Sequence, residues 1–254
     1  MKPLILITND DGVNAKGLRT LEEVAMEFGD VVVVAPEYNT SGKSHSLTPE
    51  RPLRVHEVKK GEHISVYACD GTPVDCVKLA TEHFCPRPPA LVLSGINHGS
   101  NSSINVLYSG TMGAVVEATA LGLTAIGFSL LNHNPEADFS ACVPFVRHII
   151  GRVLEQELPT DVALNVNIPR LDAADIKGIR VCHEAKASWK DSFEKRVDPQ
   201  GRPYWWLTGK FICDDPPESS DEWALRNGYV SVVPIHTDFT HYDSIVEVRN
   251  LLQP

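Results

Sequence analysis

The stretch LILITNDDGVNAKGL, residues 4–18, decides the fold, because a short apolar run ends in two adjacent carboxylates and a glycine. Apolar residues 4–8 predict a strand. A helix follows it, and the apolar residues of that helix share one face: Leu18, Leu21, Ala25 and Phe28. A second apolar run, residues 31–35, completes a βαβ unit whose strands are apolar enough to be buried on both sides.

The alternation of apolar runs and helical patterns continues to about residue 170. Further strands are predicted near residues 53–58, 63–69, 90–97, 124–130 and 162–169. Further helices are predicted near residues 73–84, 112–122 and 138–154. This order is typical of an α/β fold with a doubly wound, mainly parallel sheet.

The C-terminal third of the chain has a different texture. Residues 186–211 are polar and aromatic with hairpin-like alternation, and an acidic loop separates them from the strand YVSVVPI, residues 229–235. We therefore predict a single domain over 1–254, with a core of about 1–170 plus 228–240. A β-rich extension of about 185–227 and a C-terminal tail complete it. An exposed run such as Tyr204, Trp205 and Trp206 is unusual for a monomer, which predicts a homo-oligomer, at least a dimer.

Charge and cysteine usage exclude several classes of protein. The net charge is −10 and basic residues are scattered, so neither a long nucleic acid nor an anionic membrane is expected as a partner. No apolar run reaches the ~18 residues of a membrane span, and no leader pattern precedes the first strand, so we predict a cytoplasmic protein. The six cysteines are far apart and are predicted to be reduced thiols.

Polar loops follow the predicted strands at the edge where open parallel sheets bind ligands. The first strand is followed by residues 9–12, the second by 39–42, and the ALVL strand by 94–101, while residues 109–111 precede the next helix. All of these loops carry small or oxygen-bearing side chains. Their convergence on one edge predicts a binding site there.

Asp10 and Asp11 would repel each other at close range unless a cation were present. Consecutive side chains on a strand point to opposite faces, so a shared ligand requires a bend, which Gly12 favours. Mg²⁺ or Mn²⁺ prefers oxygen ligands, and Ser41 and Asn97 are suitable additional ligands. Alone, Asp-Asp-Gly is equally typical of a turn that caps a helix.

The segment from Ser109 to Thr111 stands where a helix is predicted to begin. Its free backbone N–H groups and hydroxyls are suited to hold a phosphate group, although simple N-capping explains the same residues. His45 and His98 lie near the candidate site and are candidate proton donors. A loop histidine without a catalytic role is the alternative for each.

Taken together, the ordered motifs closely resemble the SurE family of stationary-phase survival nucleotidases. The motifs are NDDG (9–12), the Asn-x-Ser-Gly loop (39–42) with SHSLT (44–48), GTPVDCVKLA (71–80), SGINHGSN (94–101), YSGTMGA (108–114) and NVNIP (165–169). VSVVPIHTDFT (230–240) resembles the family's C-terminal strand and its Asp-x-Thr ending. Each motif alone is unspecific, but the ordered set is specific.

This resemblance implies a metal-dependent phosphomonoesterase that acts on nucleoside monophosphates as a 5′-nucleotidase, with 3′-nucleotidase activity left open. It also implies a Rossmann-like core and an extension that exchanges between subunits of a homodimer or homotetramer. By motif, one divalent metal ion per subunit would be bound by four residues: Asp10, Asp11, Ser41 and Asn97. The predicted contacts to the substrate phosphate are Asn9, Asn97, Asn101, Ser109, Gly110 and Thr111. Asp10 and Asp11 are also the candidate catalytic groups. The chain departs from the family pattern at Ser103, where glycine is frequent, and at Ala118, which follows Glu117 where Glu-Gly is usual.

Two other classes remain alternatives at the level of sequence. A phospho-acceptor switch module also uses an acidic pair after its first strand, but Ser94 and Asn97 stand where its acceptor Asp is expected. A non-catalytic nucleotide-binding domain is the second alternative. The chain contains neither of two motifs typical of nucleotide-binding domains, GxGxxG after the first strand and GxxxxGK[ST], which weakens this second alternative.

Overall fold

A nine-stranded sheet lies at the centre of the computed structural model, which describes residues 2–156 and 158–253. The strands of this sheet are β1 (Leu4–Thr8), β2 (Asp30–Pro36), β3 (Val55–Lys60), β4 (Ile64–Cys69), β5 (Leu91–His98), β6 (Ala125–Leu130), β7 (Ala163–Ile168), β8 (Ile179–Val181) and β11 (Val230–Ile235). A separate hairpin consists of β9 (Ser188–Val197) and β10 (Pro203–Ile212). The helices are α1 (Lys16–Ala25), α2 (Pro73–Leu79), α3 (Gly110–Ala120), α4 (Val143–Glu155), α5 (Asp221–Arg226) and α6 (Ile245–Leu252).

The strand order is β3-β4-β2-β1-β5-β6-β7-β11-β8. All pairs from β4 through β7 are parallel, whereas β3 pairs with β4, and β11 with β7, in antiparallel fashion. From β1, the chain builds outward through β2 on one side and through β5 on the other. The strand order therefore reverses between β1 and β5, where their carboxyl ends lie side by side.

Alternate residues of the central strands enter two separate hydrophobic layers. Ile5 and Ile7 pack in the layer that contains the buried faces of α1 and α4. Leu4 and Leu6 pack in the layer that contains α2 and α3. Because both faces of β1 are covered, all five of its residues are buried. This confirms the predicted doubly wound, mainly parallel sheet.

Several element boundaries differ from the sequence-based expectations. The helix predicted from residue 138 begins at Val143, because Asp138 instead accepts the backbone N–H of Ser140 and starts a short 3₁₀ turn at Ser140–Cys142. The helix predicted over 73–84 is α2 followed by a wider π turn, Ala80–Phe84. The short strand β8 was not predicted, since three residues carry too little periodicity to identify a strand.

The region after residue 212 is partly attached to the sheet. Ala224 of α5 is buried against Val233 of β11 and Cys182.

All six cysteines are unpaired in the structure, and all of them except the half-buried Cys85 are buried. Across residues 2–156 and 158–253, we find no helix with the length and apolarity needed to cross a membrane.

Candidate functional site

Asp10 is held at the junction of β1 and the start of α3. The Thr111 hydroxyl donates to Asp10 Oδ1 at 2.6 Å, and the Asp10 carbonyl accepts the Thr40 N–H at 2.7 Å. A Cβ on Gly110 would lie 2.8 Å from the Cβ of Asp10, so glycine permits this close approach. Loops after β1 and β2 and the first turn of α3 therefore meet at one carboxylate.

The chain bends immediately after the two carboxylates. Gly12 has φ +104°, a conformation that L side chains rarely adopt, and its carbonyl accepts the Asn9 side-chain N–H at 3.0 Å. Both Asp10 and Asp11 line one cavity.

Asp11 is less enclosed than Asp10 and accepts the backbone N–H of His98 at its Oδ2, at 3.0 Å. Burial raises the pKa of Asp11 to about 7, the negative charge of Asp10 acts in the same direction, and the His98 N–H opposes both. Burial also raises the pKa of Asp10. Within residues 2–156 and 158–253, no basic side chain forms an ion pair with either carboxylate. Each carboxylate therefore disfavours the ionised form of the other, an effect that a cation beside them would reverse.

Asn97 and Ser41 line the same cavity as the two carboxylates. Asn97 donates its side-chain N–H to the Gly99 carbonyl at 2.9 Å, which leaves its amide oxygen as the candidate ligand atom. Ser41 is exposed on the loop after β2, and its backbone N–H is fixed by Asn39 Oδ1 at 2.8 Å. No group of three or more His, Cys, Asp or Glu suited to a metal occurs in the described ranges. A candidate metal centre here therefore depends on two carboxylates and neutral oxygens.

The residues predicted to contact phosphate do not all reach the cavity. Ser109 and Asn101 line it together with Asn97. The Ser109 hydroxyl also accepts the Met112 N–H at 3.0 Å, so Ser109 caps α3 as the alternative interpretation requires. Three other predicted contacts are buried beneath the cavity surface, outside the set of residues that line it: Asn9, Gly110 and Thr111. Thr111 directs its hydroxyl to Asp10, which makes it a support for that carboxylate.

The cavity has a volume of about 1120 Å³. Its lining includes Asp10, Asp11 and Ser109, and the β9–β10 hairpin contributes Trp189 and Phe211 to the same lining. This volume slightly exceeds the roughly 300–1,000 Å³ typical of small-molecule sites.

Comparison with known proteins identifies the family. The family model described as "Survival protein SurE" matches residues 5–191. The chain belongs to the SurE family. It is 53% identical to the 5′-nucleotidase SurE of Christiangramia forsetii over 98% of this chain and 96% of that protein, and 50% identical to that of Flavobacterium psychrophilum over 98% and 97%. The crystal structure of the SurE protein from Aquifex aeolicus matches with a TM-score of 0.84 and 38% identity, covering 98% of this chain and 99% of that one.

The departure from the SurE pattern at Ser103 has a structural explanation. Ser103 has φ +53°, in the region that favours glycine. Its backbone N–H donates to Asp221 Oδ2 at 2.7 Å, and its hydroxyl donates to the Ala185 carbonyl at 2.6 Å. These hydrogen bonds stabilise a backbone conformation that serine otherwise disfavours.

A buried asparagine network supports the loop that carries Asn101. Asn167 Oδ1 accepts the Asn101 backbone N–H, and Asn165 donates to the Asn101 carbonyl, each at 2.8 Å. The Asn101 side chain in turn donates to Ser129 Oγ at 2.8 Å. In the sequence, NVNIP is recognisable only as a motif of the SurE family. The alternation of Asn165 and Asn167 on one face of an apolar strand was the signal for this role.

The two candidate histidines have different environments. His45 Nε2 and Lys78 Nζ contact Glu117 at 2.8 and 2.7 Å, outside the cavity lining, so His45 holds its loop against α3. His98 lines the cavity and packs edge-on against Phe139, with ring centroids 4.9 Å apart. Burial lowers the pKa of His98, which favours its neutral form.

Proposed function

We propose that this chain is a metal-dependent 5′-nucleotidase that hydrolyses nucleoside monophosphates to nucleoside and phosphate. The uncompensated carboxylate pair of Asp10 and Asp11, in the lining of a cavity of about 1120 Å³, carries this proposal. The relatives that match over nearly the whole chain support it, because they are named 5′-nucleotidase SurE. An activity assay with nucleoside monophosphates tests it directly.

Four residues are proposed to hold one Mg²⁺ or Mn²⁺ ion per subunit: Asp10, Asp11, Ser41 and Asn97. The raised pKa of both carboxylates supports this assignment, since an adjacent divalent charge would stabilise their ionised forms. Carboxylate, hydroxyl and amide oxygens also match the preference of hard cations. A divalent cation held there would supply Lewis-acid chemistry by neutralising negative charge on the phosphate.

The chain's own groups are proposed to orient the phosphate and to move protons. Ser109 and Asn101 donate hydrogen bonds to phosphate oxygens from the start of α3 and from the loop after β5. Asp10 already accepts the Thr111 hydroxyl, whereas Asp11 is more accessible. Asp11 is therefore the better placed of the two to orient the attacking water, to deprotonate it, or to protonate the leaving oxygen.

The two alternative functions have less support. In a switch module, β5 would be expected to carry the acceptor Asp, but Ser94 is fully buried there and Asn97 follows it. A non-catalytic nucleotide-binding domain does not require an uncompensated carboxylate pair. Phosphate release from nucleoside monophosphates separates the nucleotidase from both alternatives.

Chelation is expected to abolish hydrolysis of nucleoside monophosphates. Without a divalent ion, Asp10 and Asp11 repel the phosphate dianion, so turnover in excess EDTA should fall to background. Adding back Mg²⁺ or Mn²⁺ above the EDTA concentration should restore activity, and added Ca²⁺ serves as a comparison ion. Phosphate release is measured over a panel of nucleotides. Full activity in dialysed, EDTA-treated protein would contradict the metal assignment.

We also propose that the extension forms a homo-oligomer interface, as a homodimer or homotetramer. The hairpin presents exposed apolar side chains, among them Phe193, Trp205 and Leu207, and Leu207 also lines the cavity. Helix α6 is exposed along its whole length, including Val246, Leu251 and Leu252. Apolar surface of this extent is typical of an interaction site.

Light scattering at micromolar concentration is expected to show at least a dimer of the 27.9 kDa chain. Replacing Trp205 and Leu207 together with serine should shift the mass toward the monomer, because it removes buried apolar area from the interface. Replacing the exposed Glu57 and Lys59 of β3 together with serine is the matched control, and it should leave the mass unchanged. A monomeric parent protein would refute the oligomer proposal.

A further inference from the structure

One face of the hairpin reaches from the candidate active site to the hairpin tip. Opposite residues of an antiparallel pair share a face, and the register pairs Trp189 with Phe211 and Asp191 with Gly209. All four residues line the cavity that contains Asp10 and Asp11. The first two pairs on this face of the hairpin thus form an aromatic and polar wall of the cavity.

Trp189 is held in a defined orientation in this wall. Its indole N–H donates to Asn105 Oδ1 at 2.8 Å, and Asn105 lies on the segment between β5 and α3. The indole also packs edge-to-face against Phe211, with ring centroids 5.6 Å apart. Even so, 41% of Trp189 remains exposed. A fixed, partly exposed indole on a cavity wall is suited to stack on a planar ligand group.

The root of the hairpin is tied to the loop that carries the candidate phosphate contacts. The Asp221 carboxylate is fully buried and accepts the backbone N–H groups of both Ser103 and Ala185, at 2.7 and 2.8 Å. Ser103 follows Asn101 on the phosphate side, and Ala185 precedes Trp189 at the base of the hairpin. The aromatic wall therefore has a fixed position relative to the phosphate end.

We propose that Trp189 and Phe211 form the nucleobase-binding wall of the cavity, with Trp189 stacking on the base. This inference rests on the proposed nucleotidase function, which supplies a substrate with a phosphate at one end and an aromatic base at the other. Every base has a π face, so such a wall accepts purines and pyrimidines alike. Purines gain more because their stacking area is larger.

Replacing Trp189 with leucine tests the wall. We expect kcat/KM for adenosine 5′-monophosphate to fall about tenfold, a change that corresponds to about 1.4 kcal/mol and lies within the range of base–aromatic stacking. For ribose 5-phosphate, which has no base, kcat/KM should stay within about twofold of the parent, since no stacking is lost. Trp189→Phe, which retains an aromatic face, should recover most of the loss for the nucleotide.

Trp206→Leu is the matched control, because Trp206 is 58% exposed on the same hairpin but lies on its opposite face, outside the cavity lining. Both substrates should be hydrolysed at parental rates by this variant. Light scattering on each variant checks that assembly is unchanged. An equal loss on both substrates in Trp189→Leu, or no loss on the nucleotide, would overturn the inference.

Adenosine binding, measured by calorimetry without added metal, separates this inference from the proposed function. Trp189→Leu should weaken the adenosine Kd about tenfold, and Trp206→Leu should not change it. If the parent protein hydrolyses no nucleotide but binds adenosine through Trp189, the nucleotidase proposal is wrong and the proposed base-binding role of Trp189 stands. Normal hydrolysis with Trp189-independent binding would refute the wall alone.

Discussion

Asp11→Asn is expected to raise the metal concentration required for half-maximal activity by tenfold or more. The substitution keeps the side-chain volume but removes one negative charge from a pair that no basic side chain within residues 2–156 and 158–253 compensates. Even groups that only orient a metal ligand change affinity by about 10- to 100-fold, so a direct ligand should have at least that effect. Titrating activity against Mn²⁺ and Mg²⁺ measures the shift, and calorimetric metal binding provides a readout independent of turnover.

Ser109→Ala is the control for this prediction, because Ser109 lies on the same cavity but is not a proposed metal ligand. It removes one donor to the phosphate and the cap on the Met112 N–H, and loss of such a cap typically costs about 1 kcal/mol of stability. KM should rise or turnover should fall at saturating metal, while the metal-activation curve stays in place. If Asp11→Asn retains the parental curve and rate, the two carboxylates form only a turn and the site assignment fails.

Asp221→Ala is expected to lower the free energy of unfolding by about 3 kcal/mol or more. The fully buried carboxylate accepts the N–H groups of Ser103 and Ala185, and each buried donor left without an acceptor costs about 1–3 kcal/mol. For a chain of this size the melting temperature should fall by about 6 to 12 °C. Urea unfolding followed by circular dichroism measures the change, provided that protein concentration is held constant.

Ser103→Gly is the matched control for Asp221. It removes the hydroxyl bond to the Ala185 carbonyl but keeps the backbone N–H that donates to Asp221, and glycine adopts the positive φ of this position without strain. Its stability should stay within about 1 kcal/mol of the parent. If Asp221→Ala lowers the free energy of unfolding only slightly, and no more than Ser103→Gly does, then Asp221 does not connect the hairpin to the loop that carries Asn101.

Local patterns in the sequence determined most of the sheet. Apolar runs such as Leu4–Thr8 must be buried on both faces, and the polar loops after them can only emerge at the strand ends, so the edge that carries Asp10 and Asp11 was predictable. The positions of Ser41 and Asn97 near this edge were predictable for the same reason, because Ser41 lies in the loop after β2 and Asn97 lies near the carboxyl end of β5.

Tertiary structure alone decided which side chains complete the cavity. Ser103 and Asp221 are 118 residues apart in the chain, and Asn105 and Trp189 are 84 apart, so no local pattern relates them. It also decided that Thr111 supports Asp10 instead of lining the cavity, because that depends on how closely α3 approaches β1 at Gly110. Periodicity reports which residues are buried along one element. The contacts between elements depend on their packing, which brings together residues that sequence separation keeps apart.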